Sequence, residues 1–243
     1  MRMTTRKNFL AVLLTLGTML PVFAFDKPGV YLVAGKTFHA TSAEDFSLVG
    51  RDSSLSALLT DAGTSGVGGT IAIGYSYPLN PKYLIMVEAG KDTGTNTSFS
   101  TGAALAANSG YVSQIDREWQ FRRDWFFAIK PALRLSDATL VYLSLSHHKG
   151  SVTGRSDVYL DCVVGICSNE TSFSGRGRLS GTGTGLGLQT TIQKNWFVRV
   201  EVERIRFNQF TDSAGDPADL IAFSTENLRP ISTVGRLMVG YQF

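Results

Sequence analysis

Residues 196–207 read Trp-Phe-Val-Arg-Val-Glu-Val-Glu-Arg-Ile-Arg-Phe. The first, third, fifth and seventh of these residues are Trp or Val, whereas Arg199, Glu201 and Glu203 occupy even-numbered places in the segment. Side chains alternate between the two faces of a β-strand, so the pattern predicts a strand with one apolar and one charged face. The fold depends on which of these faces points to the inside of the protein.

The same alternation recurs along the chain after residue 25, where helical periodicity is hard to find. In the first segment it is ambiguous, because Val30 and Leu32 compete with Tyr31 and Val33 for the apolar face. Together the segments predict eight strands, at approximately 28–38, 68–78, 82–92, 119–135, 140–150, 178–192, 196–207 and 232–243.

Short and long connections between these segments alternate strictly. The short ones are rich in Asn, Asp and Pro, which favour tight turns; they lie at 79–81, 136–139 and 193–195. The long ones are polar and rich in Gly, Ser and Thr; they lie at 39–67, 93–118, 151–177 and 208–231. Outer-membrane barrels have this asymmetry, with short periplasmic turns and long extracellular loops.

The predicted fold is therefore an all-β, eight-stranded antiparallel up-and-down transmembrane β-barrel. A bilayer cannot satisfy an open strand edge, so spanning strands must close, and about 9–11 tilted residues suffice to cross. Aromatic residues cluster at the turn end, as an interfacial girdle requires: Tyr75, Tyr77, Tyr83, Trp196, Tyr241 and Phe243. The alternative is a water-soluble, lipocalin-like barrel with its apolar face inside. The charged residues share the less apolar face with Gly, Ser and Ala, which favours a packed polar interior.

The N-terminus has the pattern of a secretory signal peptide. A basic start is followed by the apolar run 9–20, Pro21 and the small residue Ala24. Twelve apolar residues are too few for a transmembrane helix, which needs about 20. We expect cleavage near Ala24, which leaves a single barrel domain at 25–243. Three of the 23 Lys and Arg residues lie in 1–24, and the remaining 20 balance the 20 Asp and Glu, which argues against nucleic-acid binding.

The last strand ends in Val239-Gly240-Tyr241-Gln242-Phe243. With the signal peptide and the alternating strands, this ending resembles the small eight-stranded outer-membrane proteins of Gram-negative bacteria, the opacity, OmpA-like and OmpX-like barrels. The resemblance implies a location in the outer membrane, contact with its lipid and lipopolysaccharide, and recognition of Val239, Tyr241 and Phe243 by the barrel-assembly machinery. Pro131 departs from the pattern, because it removes a ladder donor on the lipid-facing side of the fourth strand and predicts a bulge or a different strand setting.

The charged faces predict what fills the barrel. Eight strands leave room only for side chains. The inward set contains both signs and predicts a salt-bridged plug: Glu88, Lys130, Arg134, Arg199, Glu201, Glu203 and Arg236. A small-solute channel is the alternative, and a plug argues against conduction of large solutes.

Four glycines share one face of the sixth strand, at positions 181, 183, 185 and 187. We expect them to make room for long side chains such as Tyr142 and Arg199. A phosphate-binding loop would need GxGxxG at the start of a helix, and this run leads into another strand. No cofactor site is predicted.

The candidates for catalysis are His39, His147 and His148, the last two following Ser146. A lipid A-modifying hydrolase could use such a group near the outer end of the fifth strand. However, adjacent strand residues face opposite sides, so His147 would face lipid or the interface and His148 the interior. The order of Ser and His does not match the expected deacylase pattern, and the sequence identifies no acidic partner. We therefore predict a non-enzymatic protein.

The only two cysteines, Cys162 and Cys167, lie in the third long loop. Two thiols without a nearby His are too few ligands for a closed zinc site, so no metal site is predicted. In an exported protein an oxidised pair is expected, and a disulfide would close a small ring.

The long loops are the place where function is expected, because function in such proteins tends to reside in loops on a rigid scaffold. The first loop suggests a short helix from its Leu and Val residues between 48 and 59, and the second from the Ala residues at 103–107. Basic and aromatic residues of the third loop could contact lipopolysaccharide phosphates or a host protein, or be merely solvated: Arg155, Arg176, Arg178, Tyr159 and Phe173. The predicted role is envelope integrity, or surface interaction and adhesion.

Overall fold

The structure is a computed structural model. It describes residues 25, 27–43, 46–50, 56–59, 62–94, 97–106, 111–162, 168–214 and 223–243. The predicted signal peptide at 1–24 lies outside the described residues. The described part of the chain forms thirteen strands: β1 (Gly29–Ala43), β2 (Phe46–Gly50), β3 (Ser56–Leu59), β4 (Ala62–Pro78), β5 (Tyr83–Thr93), β6 (Thr97–Ala106), β7 (Tyr111–Arg134), β8 (Thr139–Cys162), β9 (Ser168–Gln193), β10 (Trp196–Phe207), β11 (Phe210–Ala214), β12 (Phe223–Leu228) and β13 (Pro230–Gln242).

Eight of these strands close into a barrel. They follow the order β5-β4-β1-β13-β10-β9-β8-β7, and β7 pairs with β5 to complete the ring. Every pairing is antiparallel. The eight predicted strands and the three tight turns, at 79–82, 135–138 and 194–195, are thus confirmed.

The barrel strands are longer than predicted at the end opposite the tight turns. β7 and β8 have 24 residues each and β9 has 26. At a rise of about 3.3 Å per residue, 24 residues are roughly 80 Å long, and roughly 60 Å along the barrel axis at a tilt of ~40°. A bilayer core is only about 30 Å thick. The three strands therefore continue well beyond the membrane, through segments expected to be loops.

Further strands occupy other parts of the predicted loops. β6 pairs with the outer part of β7, and β11, β12, β2 and β3 form a second, four-stranded sheet. The short helices expected between residues 48 and 59 and at 103–107 are wrong where the structure describes these segments, because β2, β3 and β6 are strands. Pairing with β12 and β7 satisfies their backbone groups, and such long-range pairing overrides local helix propensity.

The apolar faces of the barrel strands point outward. On β10, Val202 is 56% exposed, whereas Glu201 is 2% exposed. The ambiguity in β1 is resolved in the same way, with Tyr31 and Val33 buried inside and Val30 and Leu32 exposed. We call the outward-facing residues the apolar belt: Val30, Leu32, Phe38, Ile71, Ile73, Ile85, Trp125, Phe127, Ile129, Leu143, Leu145, Leu186, Val202, Leu237 and Val239.

Aromatic side chains surround the turn end of the belt. Tyr75, Tyr77, Tyr83, Trp196 and Phe243 are exposed there, as an interfacial girdle should be. Among the residues described, no helix is long and apolar enough to cross a membrane.

Pro131 faces outward and interrupts the pairing of β7 with β8. The ladder joins Ile129 to Leu145 and Ala132 to Tyr142 and skips the two positions between them, with the same register on both sides. The missing N–H of Pro131 thus opens the ladder without a bulge. The bulge in β7 lies instead between Arg123 and Trp125.

The interior contains two apolar layers. The layer at the turn end contains Phe25, Tyr31, Leu84, Met86, Tyr142, Phe197 and Met238 among its residues. The outer layer consists of Trp119, Phe121, Val152, Leu179, Ile205, Phe207 and Val234, with Phe210 packed against it.

Candidate functional site

Among the residues that the structure describes, eight charged side chains are buried in the barrel interior. They comprise four acidic and four basic groups: Glu88, Asp92, Glu201, Glu203, Arg123, Lys130, Arg199 and Arg236. We call this set the interior network. It includes six of the seven residues predicted from the sequence. The seventh, Arg134, lies half-buried at the turn end and donates a hydrogen bond to the Phe25 carbonyl over 2.8 Å.

Ion pairs cross the full width of the bore. Glu88 on β5 accepts from Arg199 on β10, and these strands are four positions apart in a ring of eight. Lys130 on β7 donates to Glu88 over 2.7 Å and to Glu201 over 2.9 Å. These ion pairs join opposite walls of the barrel at this level.

Arg236 extends the network toward the outer end. Its guanidinium lies 2.8 Å from Glu201, 2.6 Å from Glu203 and 3.6 Å from Asp92. Asp92 in turn accepts from Arg123 over 3.1 Å. With the four cations and four anions all linked, the interior is neutral in total, which offsets much of the large desolvation cost of buried charges.

Aromatic rings and an amide hold Arg199 in place. Its Nε and Nη2 donate to Gln189 Oε1 over 2.9 and 2.7 Å. Its guanidinium lies 5.1 Å from the Tyr31 ring centroid and 5.4 Å from those of Tyr142 and Phe197, within the range of cation–π attraction. The two tyrosine hydroxyls donate to the network, from Tyr31 to Glu88 over 3.0 Å and from Tyr142 to Glu201 over 2.6 Å.

Glycines on neighbouring strands make room for these rings. The Tyr142 ring lies where a Cβ on Gly187 would stand, and the Tyr31 ring does the same at Gly74. Gly183 leaves space for Ser146 and Glu203. The glycines at 181, 183, 185 and 187 were expected to make room for Tyr142 and Arg199. This is confirmed for Tyr142 at Gly187, but no atom of Arg199 is among those nearest to the four glycines.

Two members of the interior network were not foreseen. Asp92 lies on β5 two alternations beyond Glu88, so its parity gave a usable signal. Arg123 gave none. Because the bulge at Asp124 shifts the alternation, Arg123 faces inward although the exposed Trp125 has the same parity.

Ser146, His148 and Glu203 form a compact polar group beside the network. His148 Nε2 lies 2.9 Å from Ser146 Oγ and 3.2 Å from Glu203 Oε1, and Ser146 Oγ also contacts Glu203. A catalytic triad needs one ring nitrogen for the nucleophile and the other for the acid. Here a single nitrogen contacts both partners, and His148 is 1% exposed and stacked on Phe126. The group therefore lacks the arrangement of a Ser-His-acid triad.

The other predicted histidines lie apart from this group. His147 is half-buried, on the outward side of β8, and its Nε2 lies 3.3 Å from Ser180 Oγ. His39 is buried on β1, and its ring nitrogens have no hydrogen-bond partner among the described residues. The described part of the chain contains no group of three metal-ligating side chains.

The other residues predicted from the sequence lie at the ends of the barrel, the C-terminal residues at the turn end and Cys162 at the outer end. Val239 and Phe243 are exposed, and the Tyr241 ring contacts those of Trp196 and Phe243 edge-on, each at 5.1 Å. Cys167 lies outside the described residues, and the predicted disulfide with Cys162 lies outside them too.

A closed eight-stranded wall, an apolar outer face and an ion-paired interior define a transmembrane β-barrel. This is the fold of the small eight-stranded outer-membrane proteins that the sequence resembles. No protein-family model and no curated protein matches the chain by sequence.

Among solved structures, the chain is similar to three outer-membrane proteins at low identity. Ail, the attachment invasion locus protein of Yersinia pestis, is 13% identical with a TM-score of 0.34, over 86% of this chain and 99% of that one. The outer membrane protease OmpT from Escherichia coli is 10% identical with a TM-score of 0.41, over 93% and 99%. OprG from Pseudomonas aeruginosa is 12% identical with a TM-score of 0.35, over 89% and 97%.

Proposed function

We propose that this protein is a non-enzymatic outer-membrane β-barrel whose bore is closed and whose function is performed by its extracellular part. The supporting observation is the ion pair between Glu88 and Arg199, which joins opposite walls of the barrel. The role is envelope integrity or surface interaction and adhesion. The proposal includes export through a signal peptide at 1–24 that is cleaved to leave the barrel domain 25–243.

The interior supports a closed bore at three levels. The neutral network fills the middle, and an apolar layer lies toward each end. Toward the outer end an ion would meet the rings of Trp119, Phe121 and Phe207, whose single polar group, the indole N–H of Trp119, is too little to replace its hydration. It would then have to separate buried ion pairs, which is costly. A solute channel is therefore not favoured.

The outer part of the protein supports a surface role. β7, β8 and β9 continue beyond the apolar belt, and the four-stranded sheet of β11, β12, β2 and β3 adds a second element. A structured platform of this size is more than the connection of neighbouring strands requires. The partners we propose are outer-membrane lipid and lipopolysaccharide, the barrel-assembly machinery through the C-terminal strand, and a surface or host ligand at the platform.

The first experiment measures which end of the barrel faces the medium. In a background with Cys162 and Cys167 replaced by Ser, Ser174→Cys on β9 and Lys82→Cys at a tight turn are treated on intact cells with a membrane-impermeant thiol reagent. Both positions are exposed in the structure. We expect labelling of the β9 variant alone, and of both variants after lysis. Labelling of the turn variant alone on intact cells would refute the proposed orientation.

The second experiment measures conductance of the purified protein in planar bilayers. The closed bore predicts no stable large openings. Frequent, long-lived openings of the unaltered protein would refute it and favour the channel. For the enzyme alternative, His148→Ala and His147→Ala should leave the lipid A mass profile of the cells unchanged, and a changed profile would refute the non-enzymatic proposal.

A further inference from the structure

Basic side chains cluster on the outside of the barrel, on three adjacent strands just beyond the apolar belt. We call them the basic patch: Lys149 on β8, Arg176 and Arg178 on β9, and Arg204 and Arg206 on β10. The four arginines are exposed and Lys149 is half-buried. On each of these three strands they lie on the long-loop side of that strand's belt residues, and the strands neighbour one another in the ring.

The strand register places these side chains along one stretch of the outer wall. Arg206 pairs with Thr182, which pairs with His147 on the next strand, and Lys149 pairs with Ser180. Neighbouring strands are about 4.8 Å apart, and every second residue along a strand is about 7 Å further on. The patch is therefore roughly 10 Å wide across the strands and roughly 27 Å long along them, from Arg204 to Arg176, with Ser and Thr hydroxyls between its cations.

Within its own three strands, the charge of the basic patch is not compensated among the described residues; Asp124 on the neighbouring strand β7 is paired with Arg122. In the part of the chain that the structure describes, its four arginines have no ion-pair partner, and Lys149 donates only to Ser180 Oγ, over 3.2 Å. The described outward positions of 143–155, 174–186 and 202–208 contain no Asp or Glu. The interior network, by contrast, pairs every charge. An exposed cluster of one sign attracts anions.

Apolar surface lies directly on the membrane side of the basic patch. Leu145, Leu186 and Val202 are 47%, 63% and 56% exposed on the same three strands. Beside the patch, a cavity of about 440 Å³ is lined by Arg206, Arg229, Asn208 and Gln209 among others. Anion-binding groups above and hydrocarbon-binding groups below match a molecule with a phosphorylated head and acyl chains.

We propose that the basic patch binds the head-group phosphates of a phosphorylated lipid in the outer leaflet, with the acyl chains packed on Leu145, Leu186 and Val202. The arginine forks donate paired hydrogen bonds to phosphate oxygens, and the hydroxyls of Ser180 and Thr182 add further donors. The proposal rests on the proposed outer-membrane location, since only there is the long-loop side of the belt an outer leaflet.

The experiment compares two variants with equal loss of charge. Arg178→Gln with Arg206→Gln alters the basic patch, whereas Lys36→Gln with Lys91→Gln removes two exposed cations from β1 and β5, on the other side of the ring. Each protein is refolded in detergent micelles, its folding is checked by heat-modifiable gel mobility, and binding is measured with diphosphoryl lipid A, with the same lipid after removal of its phosphates, and with inorganic phosphate.

We expect the patch variant to bind diphosphoryl lipid A at least roughly tenfold more weakly than the unaltered protein, and the control variant to bind it equally well, since charge-assisted bonds to phosphate are lost only in the former. Lipid without phosphates should bind weakly to all three proteins. Equal weakening in both variants, or inorganic phosphate binding as tightly as the lipid, would overturn the proposal. If the barrel folds but the patch variant binds the lipid normally, only the lipid site is refuted and the proposed function is unaffected. If the unaltered protein shows no heat-modifiable mobility, both the lipid site and the proposed function are refuted.

Discussion

Replacement of Arg199 by Met is the sharpest test of the closed interior. The substitution keeps much of the side-chain volume and removes one cation, so that three cations face four anions. Among the described residues, Lys130 is then the only cation paired with Glu88, and it is shared with Glu201. Breaking a buried ion pair by removing one partner costs about 3–5 kcal/mol because the other charge remains buried. The folding equilibrium should therefore fall by roughly two to three and a half orders of magnitude, at about 1.4 kcal/mol per factor of ten.

A second substitution separates lost pairing from lost packing. Glu88→Gln removes the anion that faces Arg199, and the double variant restores neutrality with three charges of each sign. The double variant should be less destabilised than the sum of the two single variants, by about 2–3 kcal/mol. Arg199→Lys retains the charge but loses the planar guanidinium that reaches both Glu88 and Gln189. Its stability should therefore lie between that of Arg199→Met and that of the unaltered protein.

The assay is urea unfolding in detergent micelles, followed by tryptophan fluorescence and by gel mobility without boiling. Arg204→Met is the matched control, because it removes an outward-facing arginine from the same strand, and it should leave the unfolding midpoint unchanged. Effects of Arg199→Met and Glu88→Gln that add to within about 0.5 kcal/mol would refute the reasoning, since independent sites behave in that way.

Three further predictions concern the faces of the wall. Ile73→Arg replaces a side chain that is 53% exposed, and such a change would be harmless in a water-soluble protein. Facing the bilayer midplane, the arginine should make folding into lipid vesicles less favourable by about 2–4 kcal/mol. Equal stability of the variant and the unaltered protein would contradict the membrane orientation. Trp119→Ala empties a fully buried position in the outer apolar layer and should cost about 3–5 kcal/mol in urea unfolding, whereas a loss under about 1 kcal/mol would show that this layer is not packed. Gly187→Val places a side chain where the Tyr142 ring lies and should lower the free energy of unfolding by about 1–3 kcal/mol. Gly63→Val is the control, because the atom nearest to its Cβ would be 3.7 Å away. Equal effects of the two substitutions would argue against the packing of the Tyr142 ring on Gly187.

The sequence was least informative at the outer end of the barrel. Its Gly, Ser and Thr content indicated loops, yet β8 and β9 pair continuously from Thr139↔Thr190 to Asp161↔Ser168. Backbone pairing depends on a partner strand rather than on the residues' own preferences, so composition alone could not show how far the strands extend. Arg123 illustrates the same limit, because one extra residue at Asp124 moved it from the outer face to the interior.

The sequence by itself determined the barrel, the number of its strands and the direction of its faces. The reason is that the alternation of apolar and polar residues is local and can be recognised in each strand without knowing which strand pairs with it. Only the tertiary structure decided which charges meet. Glu201 and Arg236 are direct neighbours on paired strands, but Glu88 and Arg199 are 111 residues apart and reach each other across the bore. That contact depends on the tilt and closure of all eight strands together, which no single segment encodes.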